Sequence, residues 1–98
     1  MENRVKQLAR DLRREEPRPS SDELAGESHA ARALDKCRAA LVGRNGEFKF
    51  GCPMDQHFFA ETGIDMQDFK EFVATGSTDE EVADWIRSHS HSASQRAQ

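Results

Sequence analysis

Val5, Leu8, Ala9 and Leu12 recur at i, i+3, i+4 and i+7, the stripe of an amphipathic helix, with Asn3 ahead of them as an N-cap. Pro17 and Pro19 close this segment, so the pattern predicts a first helix near residues 3–15. From Pro17 to Ser28 the chain is rich in turn formers and reads as an extended connector. Ala30, Leu34, Cys37 and Leu41 mark the buried face of a second helix near 29–42, capped by Ser28 and ended by Gly43. The Arg44-Asn45-Gly46 turn signal precedes the alternating Glu47-Phe48-Lys49-Phe50. The segment near 44–51 is thus a short β-hairpin or an extended stretch, whose partner would be the connector, a second chain or none.

Cys52-Pro53 opens a third helix near 53–62, with proline where its missing N–H costs nothing. Met54, Phe58 and Phe59 are expected to face inward, and Gly63 ends the helix. Asp65 caps a fourth near 65–75, which carries Met66, Phe69, Phe72 and Val73 and stops at Gly76. Thr78-Asp79-Glu80-Glu81 has the form of a capping box for a fifth near 78–88, with Val82, Trp85 and Ile86 on its apolar face. Residues 88–98 have nothing to bury and are expected to be a disordered tail. The architecture predicted is mainly α: a compact single-domain bundle of about five short helices over residues 1–87.

Composition narrows the class. Ninety-eight residues hold one core, not two. Six Phe and one Trp supply enough bulk for it, although 33% of residues are charged. No apolar run has the length of a membrane span, and the N-terminus lacks the apolar stretch of a secretory signal. Two cysteines are too few for a disulfide framework. A reducing cytoplasm is the expected compartment, with both thiols free.

The net charge of −4 is unevenly spread, because residues 53–87 hold nine acids and two bases. A segment of net charge −7 repels phosphate backbones, so nucleic acid is not an expected partner, and the lack of a spanning apolar run argues against a membrane. The acidic segment would instead attract a basic protein or a second copy of the chain.

Leu34-Asp35-Lys36-Cys37-Arg38-Ala39, Cys52-Pro53-Met54-Asp55-Gln56-His57-Phe58-Phe59 and Thr62-Gly63-Ile64-Asp65 occur in that order. Ala74-Thr75-Gly76-Ser77-Thr78-Asp79-Glu80-Glu81-Val82-Ala83-Asp84-Trp85-Ile86 follows them. Together these stretches, within roughly Asp11 to Ile86, resemble a family of small bacterial proteins known as domain of unknown function 5069. The resemblance implies a compact bacterial domain that stands alone and has no assigned activity. It brings no catalytic residue with it.

Candidate chemistry rests on few side chains. Cys52 sits at a helix N-terminus, where free amides favour a thiolate, while Asp55 at the N3 position opposes that effect. Cys52, Asp55 and His57 are therefore the catalytic candidates, for a thiol enzyme or redox sensor, with an inert thiol as the plainer reading. Arg32, Asp35, Lys36 and Arg38 crowd the second helix as candidates for a small-anion or metabolite site. Ordinary salt bridges explain them as well: Arg32 with Asp35 at i, i+3, and Arg38 with a carboxylate such as Asp55. His29, Cys37, Cys52 and His57 lack the paired spacing of a zinc site, and His89 with His91 is only a loose His-x-His, so neither metal nor cofactor is expected. Without a convincing catalytic set, the reading preferred is a non-catalytic protein-interaction or regulatory module.

Overall fold

The protein, in a computed structural model, is described over residues 2–90, with side chains from Arg4 onward. It is mainly α, with helices α1 (Glu2–Leu8), α2 (Ala30–Leu41), α3 (Pro53–Thr62), α4 (Met66–Val73) and α5 (Asp79–His89). Two two-residue strands, β1 (Glu23–Leu24) and β2 (Glu27–Ser28), pair antiparallel with Glu23 opposite Ser28 and Leu24 opposite Glu27. No helix among the described residues is long and apolar enough to cross a membrane. Of the stretch 88–98 expected to be a disordered tail, Ser88 and His89 instead form the last turn of α5, and the residues beyond Ser90, including His91, lie outside the described residues.

The first helix ends at Leu8, well before the proline stop, and begins at Glu2, so Asn3 lies inside it rather than capping it. Asp11 supplies the reason. Its carboxylate accepts the Arg13 N–H at 3.1 Å and the Arg13 guanidinium at 2.8 Å, an alternative that competes with helical hydrogen bonding. Leu12 is still buried, as is Val5, because its N–H donates to the Arg44 carbonyl at 2.8 Å and pins the loop to the end of α2.

The hairpin falls in the connector, not at 44–51. Ala25 and Gly26, at φ 59° and 77°, form a two-residue turn of the left-handed kind that suits tight hairpins. Residues 44–51 make turns instead: Phe48 N–H donates to the Asn45 carbonyl, and the Asn45 side chain donates to the Phe48 carbonyl, both at 2.9 Å. Phe50 from this loop packs edge-on against Phe59 and stacks on Phe69.

α2 forms the axis of the domain. Ala30, Ala33, Leu34 and Cys37 lie in the main core with Phe58, Phe59, Ile64, Phe69, Val73, Val82 and Ile86. Its N-cap is His29, held left-handed at φ 73°, while Ser28 is taken into β2. Its far end closes with the Arg44 N–H on the Ala39 carbonyl at 2.8 Å and the Gly43 N–H on the Ala40 carbonyl at 3.4 Å, a Schellman arrangement. α5 carries the expected capping box: Thr78 N–H donates to Glu81 Oε1 at 2.9 Å and Glu81 N–H to Thr78 Oγ1 at 3.2 Å.

On α3 the inward stripe is Asp55, Phe58, Phe59 and Thr62, at i, i+3, i+4 and i+7. Met54, one residue out of step, is 60% exposed rather than buried. A carboxylate therefore occupies a core position.

A buried polar relay beside an open groove

Asp55 is completely buried, so its charge requires partners. Three elements supply them. His29 Nε2, at the start of α2, lies 2.6 Å from Oδ1; Lys36 Nζ, two turns along α2, lies 3.0 Å from Oδ2; and the Gly51 N–H donates to Oδ2 at 2.9 Å. Burial alone would raise the Asp55 pKa, but these three donors together hold it below the usual carboxylate value.

The relay continues at both ends. Ser20 Oγ lies 2.9 Å from His29 Nδ1, and the His29 N–H donates to the Ser20 carbonyl at 2.8 Å, so connector and helix start are tied twice. At the other end Lys36 Nζ donates to Cys52 Sγ at 3.1 Å. Burial raises the Cys52 pKa, yet the α3 amides and the Lys36 ammonium outweigh it and the thiol is lowered overall. No amide closes a capping bond on the sulfur, so the Lys36 contact is the firmer of these contributions. Cys37, enclosed in the core, has its thiol pushed up to about 12 by burial, and both cysteines are free.

Ser20 and His29 face a groove of about 470 Å³ between the hairpin turn and α3. Pro53, Met54 and Phe58 give it an apolar wall, and Glu27, His57 and Glu61 line it as well. His57 does not join the relay; its side chain is 75% exposed, 3.8 Å from Glu61 one turn on. Of the three catalytic candidates, then, Cys52 and Asp55 are brought together and His57 stands apart.

The four candidates on α2 divide between several partners. Lys36 belongs to the relay. Asp35 accepts from Arg18, whose Nε, Nη2 and backbone N–H all lie within 3.0 Å of its oxygens, so the expected Arg32–Asp35 pair is replaced. Arg38 reaches Asp79 at 2.8 Å and the Ser77 carbonyl at 2.8 Å, not Asp55. Arg32 donates to the Arg18 carbonyl at 3.4 Å and lies over the Phe48 ring. Among the described residues no group of three or more His, Cys, Asp or Glu side chains could hold a metal ion.

No motif marks Ser20 and His29, since a Ser-His-Asp order with ordinary surroundings carries no spacing rule. The one usable signal was Asp55 in phase with Phe58, Phe59 and Thr62, a carboxylate on a buried stripe.

Fold and site together define a small helical domain with a charged relay in its core and a groove at one end of that relay. The chain belongs to the family described as domain of unknown function DUF5069, whose model matches residues 14–98. No curated protein matches it.

Proposed function

We propose that the domain works by recognition, and that its partner is a basic protein segment seated in the groove between the hairpin and α3. The anatomy of that groove carries the reading. Met54 is the one large hydrophobic side chain exposed to such a degree among the described residues, and it stands beside Pro53 and Phe58 with Glu27 and Glu61 around them. An apolar centre with a polar, charged rim is how transient interfaces are built. The −7 charge of residues 53–87 adds long-range attraction for a basic partner. Two free thiols and an acidic surface fit a soluble role in a reducing cytoplasm.

Selection from a random displayed 12-residue peptide library tests this, with the Met54→Ser/Glu27→Lys/Glu61→Lys variant as counter-selection. Peptides that combine basic and apolar residues, bind the unaltered protein and lose affinity as salt rises support it. Enrichment of acidic peptides, or equal binding to the variant, would reject it.

A thiol-dependent role has one observation in its favour, the Lys36–Cys52 contact at 3.1 Å. The anion-binding alternative has less, because Arg32, Lys36 and Arg38 face different partners.

A further inference from the structure

We infer that Ser20 is a nucleophile activated by His29, able to take the acyl group of a carboxylic ester held in the groove. The relay decides its own proton positions. Ionised Asp55 can only accept, and Gly51 N–H and Lys36 both bind its Oδ2; His29 Nε2, facing Oδ1, must then carry the hydrogen. With the hydrogen on Nε2, the neutral form of the ring has a bare Nδ1, 2.9 Å from Ser20 Oγ, placed to receive the hydroxyl proton. This is nucleophile, base and orienting carboxylate in hydrogen-bond sequence, with the two ring nitrogens in exchanged roles relative to the serine-protease arrangement. Asp55 is a positioning residue here, because it acts through the ring and does not reach the groove.

Two further observations favour chemistry over a purely structural staple. His29 is held at φ 73°, a region that residues other than glycine seldom occupy and that persists only where the surroundings fix it. Ser20 and His29 also line the groove, so the bonded pair is open to a ligand rather than sealed in the core. In the reaction, Ser20 Oγ bonds to the acyl carbon while its proton passes to His29 Nδ1. The C–O bond to the leaving alcohol then breaks and that alcohol takes the proton. Water attacks the acyl-serine by the same route and releases the acid. Glu27 and Glu61 favour esters bearing a positive charge, a preference that rests on the recognition proposed above.

The full chain is treated with an alkyl fluorophosphonate, whose P–F bond breaks as the serine P–O bond forms, and the adduct is located by peptide mass mapping. One adduct on Ser20, lost in Ser20→Ala and slowed about 10²–10⁴-fold in His29→Gln, supports the proposal. An adduct elsewhere, no adduct, or labelling retained in Ser20→Ala overturns it. Mapping on the unaltered protein decides the matter even if His29→Gln fails to fold. Asp55→Asn should displace the pH profile of labelling, and a profile unmoved in a folded variant removes the positioning role. In a second arm, cationic, neutral and anionic nitrophenyl esters of equal size are compared. Preference for the cationic ester supports the substrate class; Ser20 labelling without that preference overturns the groove's charge reading and leaves the nucleophile standing.

Discussion

Arg18 and Asp79 are 61 residues apart, yet Arg18 Nη1 lies 2.9 Å from Asp79 Oδ2 at the first turn of α5. Arg38 holds the other oxygen at 2.8 Å, and Arg18 in turn grips Asp35 on α2. One arginine thus ties the connector to two helices through two carboxylates.

Because Arg18 and Arg38 share Asp79, their substitutions should be non-additive. Arg38→Met is expected to cost about 1–2 kcal/mol, discounted because Asp79 is half-exposed. A double-mutant cycle with Arg18→Met should show a coupling of about 1 kcal/mol in urea unfolding. Additive losses would mean that the two arginines act independently.

The Lys36–Asp55 pair should be costly to break from either side. Lys36 is only 3% exposed and Asp55 not at all, so Asp55→Ala leaves a buried ammonium with Cys52 as its one remaining polar partner among the described residues. A loss of about 3–5 kcal/mol is expected. Lys36→Met should cost less, since Asp55 keeps its His29 and Gly51 donors. Equilibrium denaturation of both variants checks the order.

Acid should weaken the fold through Asp55 and Asp79. Burial opposes the charged form of each, but their donors prevail and both carboxyls lie below the ordinary 3.8. A depressed folded pKa means that the unfolded chain binds protons first. Their contribution is therefore full above about pH 5 and fades as pH falls below 3.8 toward the folded values. Denaturation midpoints at pH 7, 5 and 3 should show little change over the first interval and a clear drop over the second, smaller in Asp79→Asn.

Thiol labelling should separate the two cysteines. Cys37 is sealed in the core with its pKa pushed up to about 12, whereas Cys52 is half-buried with its thiol lowered. Iodoacetamide at pH 7 should modify Cys52 in the native protein and reach Cys37 only on unfolding. Lys36→Met should slow the Cys52 reaction. Equal rates at the two positions would contradict this assignment.

Local signals in the sequence translated well into structure. The capping box at Thr78 and Glu81, the proline-opened third helix and its stop at Gly63 each depend on residues within one turn of one another, whereas α4 ends at Val73, short of Gly76. Features set by distant partners did not. α1 loses its second half to the Asp11–Arg13 contact and Leu12 to Arg44, neither of which alters the apolar spacing. α2 is buried on nearly all sides because other elements surround it, so its charged residues could not be placed by helical phase alone. Met54 reads as inward because it is apolar, although Asp55 holds the phase that aligns with Phe58 and Thr62. The relay needed the connector to fold back over α2, and no spacing between Ser20, His29 and Asp55 encodes that return.

The packing of Val5 and Leu12 bears on where this domain can be cut. Each is 3% exposed, and Leu12 is bonded to Arg44 at the close of α2, yet the family match begins only at residue 14. A truncation trimmed to that match would bare two apolar faces and free a backbone carbonyl. The packed unit thus extends N-terminal of the stretch that the family model matches.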